Sequence, residues 1–245
     1  MIERPTQAAL PFLFRLGNLG IRLALAALRV RVNVEGADHV PDEPGVILAS
    51  NHLSIVDPPL VSVVVARLVG RRLRYMAKAE ALDAPLLGPV LRAYGGFGVR
   101  RGRPDREAYR MAHAVLDAGD WLGVAPEGTR SRTATLGEAK AGVSLLALRS
   151  GAPILPVGIA GTERTWPVGA RLPRFGTTVT VRFGVLYRPS PAAAEGDRRE
   201  ALEARTEELM RRIAELLPEA YRGRFGRLVA DRVEAIDGRL DPGDA

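Results

Sequence analysis

Short apolar runs alternate along the chain with stretches whose apolar residues recur every three or four positions, and turn residues separate the two. Arg31 to Glu35 alternates apolar and polar positions and predicts a strand, while Val46 to Ser50 is apolar nearly throughout and predicts a buried one. Pro58 to Leu68 has helical spacing, with proline in the first turn, where no amide is needed. A strand over Leu73 to Ala77, a helix over Ala84 to Ala93 and a strand over Gly96 to Val99 follow. Asp105 to Ala118 reads as a helix with Asp105 as its N-cap, and Trp121 to Ala125 as a strand. Next come a helix from Ala141 to Ser150 stopped by Gly151, a strand from Ile154 to Ile159, and a longer strand from Thr177 to Leu186 with period two. Ala192 to Leu217 predicts a long charged helix with a break near Gly196, and the polar residues after Pro218 are expected to fray. Strands alternating with helices define an α/β fold: a mixed, largely parallel sheet flanked by helices. There is no internal repeat.

The segment Ala8 to Val30 is largely apolar and carries Arg15, Arg22 and Arg29, spaced so that on a helix they form one narrow basic stripe. A secretory signal puts its charge first and then runs uninterrupted, and arginines in mid-span are costly for a spanning helix. The expectation is an amphipathic helix or helix pair lying in the membrane interface, arginines toward lipid phosphates. Packing of the same helix on the domain is the alternative, and one helix can do both. Pro11, Gly17 and Gly20 predict a break or kink. The expected organisation is a membrane-interface segment over 1–30, an α/β domain over 31–217 and a C-terminal tail over 218–245.

Composition narrows the function. The 245 residues are 47% hydrophobic, ample for a core, and include no cysteine, which removes disulfides, zinc-thiolate sites and thiol catalysis. The net charge is +7 and comes almost entirely from arginine, since Lys78 and Lys140 are the only lysines. Arginine favours forked contacts with phosphate and carboxylate. Such a balance fits nucleic acid, anionic lipid or a phosphorylated substrate. Few aromatics, not interleaved with the basic residues, weigh against single-stranded nucleic-acid binding, and no nucleic-acid partner is expected.

The candidate chemistry begins at Asn51-His52-Leu53-Ser54-Ile55-Val56-Asp57. Histidine moves protons near neutral pH, and a carboxylate on its other ring nitrogen fixes the tautomer and stabilises the imidazolium. No serine elbow or cysteine accompanies the pair, so the substrate is expected to supply the nucleophile. On an ideal helix, positions five apart point about 140° from each other, so a turn at Leu53-Ser54 has to bring the two together. Asp57 before Pro58 also reads as an ordinary helix N-cap. Glu127 also reads as a turn residue or ion-pair partner of Arg130, and Arg100, Arg101 and Arg103 as a solvated face. His39 and His113 read as structural.

Three further segments follow in order: Gly95-Gly96-Phe97-Gly98-Val99-Arg100-Arg101-Gly102, Val124-Ala125-Pro126-Glu127-Gly128-Thr129-Arg130-Ser131-Arg132, and Ile154-Leu155-Pro156-Val157-Gly158. The four together closely resemble the glycerolipid acyltransferase family, typified by bacterial 1-acylglycerol-3-phosphate acyltransferases, over about residues 46 to 160. The resemblance implies transfer of an acyl group from acyl-CoA or acyl carrier protein to a lysophospholipid hydroxyl, giving phosphatidic acid, with no cofactor and no metal. It implies His52 as general base, Asp57 as its orienting carboxylate, and Arg101 and Arg130 as binders of the acceptor phosphate. Glu127 and Gly128 would shape the acceptor pocket, with Thr129, Ser131, Arg100 and Pro156 as further substrate-binding positions. Backbone amides near Gly128 or Pro156 are candidates for the oxyanion donor. The implied setting is peripheral or monotopic, on an anionic membrane surface at the cytoplasmic face. Other acceptors on the same fold, a metal-dependent phosphoesterase using His52, Asp57 and Glu127, and a non-catalytic lipid-binding module are the competing readings.

Overall fold

The computed structural model describes residues 11–85, 87–99, 106–190, 198–227 and 229. Seven strands, β1 (Arg31–Glu35), β2 (Ile47–Ser50), β3 (Leu73–Lys78), β4 (Phe97–Val99), β5 (Trp121–Val124), β6 (Ile154–Ala160) and β7 (Thr178–Phe183), form one sheet in the order β1-β7-β6-β2-β5-β3-β4. Every pairing is parallel except β6 with β7. That reversal has a spatial consequence. The C-terminal ends of β2, β5 and β6 and the N-terminal ends of β1 and β7 lie on one edge of the sheet, where Ser50 pairs with Val157 and Ala160 with Thr180.

Both faces of the central strands are covered, which is why β2, β5 and β6 read as unbroken apolar runs. On one face Ile47, Ala49, Leu122, Val124 and Ile154 pack under α5 (Arg106–Asp117), α6 (Gly142–Ser150) and α8 (Arg198–Glu215). On the other, Val46, Leu48, Leu155 and Val157 pack under α2 (Asp57–Val69). Burial of these side chains contributes on the order of 2 kcal/mol each.

Among the described residues the N-terminal segment forms one helix, α1 (Phe12–Ala27), with Pro11 as its N-cap. Gly17 does not break it; a Cβ there would lie 2.4 Å from Cε2 of Tyr94, so the glycine admits an aromatic ring against the helix. Phe14 is fully buried and stacks tilted on Tyr94 at 5.1 Å, and the Tyr94 hydroxyl donates to Asn18 Oδ1 (2.8 Å). The packed stripe is Phe14, Asn18, Ile21, Leu25 and Leu28, while Phe12, Leu16, Leu19 and Leu23 on the opposite side are exposed. Arg15 and Arg22 flank these two stripes, and Arg29 lies beyond the helix in a left-handed conformation. No helix among the described residues is long and apolar enough to cross a membrane.

Three expectations change. The helix read over Ala84 to Ala93 begins only at Leu87, as α4 (Leu87–Ala93), because Pro85 disfavours helical backbone at Ala84, and a separate short helix, α3 (Ala79–Leu82), precedes it. The strand read to Leu186 stops at Phe183. Beyond it β7 faces Pro156, which offers a carbonyl to the Gly184 amide (2.9 Å) but has no N–H to return. Residues 218–227 do not fray: Glu219–Tyr221 form a 3-10 turn, Phe225 is buried, and the Tyr221 hydroxyl donates to Glu163 Oε1 (2.8 Å). Asp105, Gly196 and the end of the chain lie outside the described residues.

Close approach also decides the β5 residue beside the site. A Cβ on Gly123 would lie 2.3 Å from Cε1 of Tyr75, on the neighbouring strand. Gly123→Ala is therefore expected to destabilise the protein by about 1–3 kcal/mol through overpacking. A lower denaturant midpoint with an unchanged m-value is the measurement that checks it.

Candidate active site

The site is built where β2 reaches the shared edge. Asn51 continues the β2–β6 ladder with its side chain: Nδ2 donates to the Ile159 carbonyl and Oδ1 accepts the Ile159 amide, both at 2.8 Å. The strand end is thereby fixed immediately before His52. The chain then turns through Leu53 to Val56 and enters α2 at Asp57, whose carboxylate is buried.

One oxygen of Asp57 organises this turn. Oδ2 accepts from His52 Nδ1 (2.9 Å) and from the backbone amides of Leu53 (2.6 Å) and Ser54 (2.8 Å). A carboxylate can only accept, so Nδ1 carries the proton and Nε2 is left as the acceptor. The N-cap reading of Asp57 does not hold: the residue is the first of α2, and its carboxylate bonds back to the turn. Asp57 Oδ1 and the Tyr75 hydroxyl are both buried, with no hydrogen-bond partner among the described residues. Burial, and then the Asp57 charge, push the Tyr75 phenol well above its usual range, so it remains a neutral hydroxyl.

The second wall comes from β5, which delivers a loop closed by the Lys140 amide donating to the Pro126 carbonyl (2.9 Å). Glu127 is buried inside it: Oε1 accepts the His52 amide (3.3 Å) and Oε2 the Gly137 amide (2.9 Å). Burial pushes its carboxyl up, and the Gly137 and His52 amides pull it partly back. Its oxygens thus brace the loop against the histidine turn. Ser131 adds a further tie, its amide donating to the His52 carbonyl (2.7 Å) and its Oγ to the Thr135 carbonyl (2.8 Å). Gly128 is left-handed (φ 69°), and its amide is spent on the Ala125 carbonyl (2.9 Å). Neither Gly128 nor Pro156, which has no N–H, therefore has an amide free for an oxyanion.

The structure brings His52, Asp57, Glu127 and Ser131 together, with Gly128 and the exposed Thr129 and Arg130 on the same loop. Pro156 is not brought to His52; it lies inside the sheet opposite Ala49. Arg100, Arg101 and Arg103 lie outside the described residues. Two contributors escaped the sequence reading. One is the Asn51 clamp. The other is Lys140, whose Nζ lies 3.4 Å from the position a Gly128 Cβ would take, so a second cation lies over the turn that leads to Arg130. Its signal was its rarity as one of two lysines. Among the described residues no group of three or more His, Cys, Asp or Glu side chains could hold a metal ion.

A sheet edge with a tautomer-fixed histidine, its buried carboxylate and a cationic loop has the groups needed to exchange a proton beside an anion. The model of the acyltransferase family matches residues 31–160, and the chain belongs to that family. It is 30% identical over 145 residues to a 1-acyl-sn-glycerol-3-phosphate acyltransferase of Borreliella burgdorferi, covering 58% of this chain and 56% of that protein. The enzyme of that name from Bacillus subtilis is 27% identical over 192 residues, 78% of this chain and 91% of the relative. A chloroplastic one from Arabidopsis thaliana is 26% identical over 144 residues, 57% of this chain and 39% of the relative. The chain thus spans about half the length of several curated relatives it matches. The fold is that of the crystal structure of a 1-acyl-sn-glycerophosphate acyltransferase, PlsC, from Thermotoga maritima, with a TM-score of 0.60, 24% identity, and coverage of 83% of this chain and 79% of that one.

The bracing of Glu127 has a measurable consequence. Glu127→Ala leaves the His52 and Gly137 amides without their acceptor and is expected to cost about 2–4 kcal/mol of stability. Glu127→Gln, which keeps one acceptor oxygen, is expected to fall between it and the parent in a chemical denaturation series.

Proposed function

We propose that this protein transfers a fatty acyl group from a thioester, acyl-CoA or acyl carrier protein, to the free hydroxyl of a lysophospholipid, and that 1-acylglycerol-3-phosphate is the acceptor. The observation that carries the reading is the 2.9 Å bond from His52 Nδ1 to Asp57 Oδ2, in a chain of the acyltransferase family. Nε2 takes the proton of the acceptor hydroxyl as its oxygen attacks the thioester carbonyl. The tetrahedral intermediate collapses with cleavage of the C–S bond, and the imidazolium returns its proton to the leaving thiolate. Asp57 stabilises the imidazolium between these steps without itself taking the proton.

Arg130 and Lys140 are the cations proposed to hold the acceptor phosphate, with Arg101 and Arg100 joining them on the strength of the family resemblance. Glu127 and Ser131 hold this loop against the histidine turn through the bonds described above. The relatives named for 1-acyl-sn-glycerol-3-phosphate acyltransferase activity support this choice of acceptor. The reaction needs no cofactor or metal. His52→Ala is expected to lower kcat at least ~10³-fold, the scale of general-base loss combined with a lost orienting partner. Circular dichroism should be unchanged. Thiol release from acyl-CoA in the presence of lysophosphatidic acid checks this, and near-parental turnover would overturn the general-base role. Arg130→Ala and Lys140→Ala are each expected to raise the KM for the acceptor about tenfold while leaving that for the donor unchanged.

The outward face of α1, with Phe12, Leu16, Leu19 and Leu23 exposed beside Arg15 and Arg22, supports attachment to an anionic membrane surface. The proposed setting is monotopic, at the cytoplasmic face, where acyl-CoA and acyl carrier protein are found. Leu16→Ser combined with Leu19→Ser should release the protein from phosphatidylglycerol-containing vesicles in a sedimentation assay. Undiminished binding would remove α1 as the anchor.

A further inference from the structure

The loop between α7 (Thr162–Thr165) and β7 has no part in the chemistry above, yet it carries an unusual surface. Leu172 is 77% exposed and Phe175 70%, with Val168 also exposed. Arg171 and Arg174 are exposed among them and form no ion pair with an acidic group among the described residues. The loop is nonetheless well fixed. The Arg174 amide donates to the Thr165 carbonyl (2.7 Å), Trp166 Nε1 to the Ala170 carbonyl (3.0 Å), and the Thr165 and Thr177 hydroxyls bond at 2.6 Å. Its apolar tips are therefore held outward by structure, against the tendency of large apolar side chains to be covered.

Two bonds tie this loop to elements already discussed. The Gly176 amide donates to the Leu28 carbonyl at the end of α1 (2.9 Å), and Ser54 Oγ in the histidine turn donates to the Trp166 carbonyl (2.8 Å). The antiparallel β6–β7 pairing puts the start of β7, and hence this loop, on the sheet edge that carries His52. Ile55, in the same turn, is also exposed.

We infer that residues 166–177 form a second membrane-inserting element. Leu172 and Phe175 enter the boundary between headgroups and acyl chains of an anionic bilayer, while Arg171 and Arg174 meet lipid phosphates. The inference rests on the reading of α1 as an interfacial anchor, to whose C-terminal end the loop is bonded through Gly176. An interfacial helix alone leaves the domain free to roll about the helix axis. A second point of insertion removes that freedom and sets the histidine edge against the lipid. Two arginines with no ion pair among the described residues complement anionic headgroups beside the apolar tips, and the bond to the end of α1 favours a bilayer over a protein partner.

Because the chain has no cysteine, single cysteines can be introduced and spin-labelled without background. Labels at Leu16, Phe175 and Asp38, the last on the opposite edge, would be read on the full chain by collision with oxygen and with a water-soluble nickel complex. The vesicles would contain equal parts phosphatidylcholine and phosphatidylglycerol. The expected result is that positions 16 and 175 gain oxygen contact and lose nickel contact on vesicles, while position 38 does not change. A label buried at 16 but aqueous at 175 overturns the inference and spares the α1 reading; aqueous labels at both overturn the two together. Shielding of 175 by an acidic acyl carrier protein in place of vesicles would reassign the loop to a protein partner and overturn it equally. With no label present, Leu172→Ser combined with Phe175→Ser should weaken vesicle association about tenfold or more. It should leave turnover of a short-chain, water-soluble acceptor unchanged. Loss of that soluble activity would make the loop part of the site and overturn the inference.

Discussion

The site depends on one oxygen atom. Asp57 Oδ2 gathers the His52 ring and two backbone amides, and these three bonds fold the chain between β2 and α2 into a turn that neither element's periodicity would give it. The three donors also let a carboxylate be buried, since a charge removed from water survives only when its partners replace the water. Its position in the first turn of α2 adds the favourable end of the helix dipole. Orientation of the histidine and solvation of the aspartate are thus the same set of contacts.

Around that atom the architecture works by bringing distant segments to one edge. The loop after β5 reaches the histidine turn through Glu127 and Ser131, and β6 reaches it through Ile159 and Asn51. The Glu127 and Asn51 ties each join a polar side chain to a backbone group, and the Ser131 tie joins two backbone groups. Such contacts fix register and distance more tightly than apolar packing, which is non-directional. The apolar packing does a different task, holding α2 and the three helices of the other face against the sheet so that the edge stays in place.

What the sequence disclosed follows from the range of each interaction. The His52–Asp57 pair and the glycine turn at Gly128 are local, so spacing and residue type were enough to find them. The Glu127 bonds and the Asn51 clamp join residues 75 and 108 positions apart, and no pattern along the chain records such a pairing. Most strands were legible because their central members are buried on both faces. Two of the errors were made by neighbours in space: Tyr94 turned an apparent helix breaker, Gly17, into a packing site, and Pro156 ended β7 from across the ladder. The packed residues after Pro218 look polar because their burial rests on a few side chains such as Phe225.

The reversed pair of strands, β1 and β7, has a wider meaning for how such a protein can vary. Had β7 run parallel to β6, the loop before it and the end of α1 would lie on the far side of the sheet from the histidine. With both strands reversed, the histidine turn, the loop before β7 and the end of α1 collect on one rim, and the opposite rim carries Asp38, Pro44 and Gly151. Sequence change on that far rim leaves the histidine turn and its ties untouched. Change on the near rim reaches the histidine turn and the exposed apolar elements beside it together.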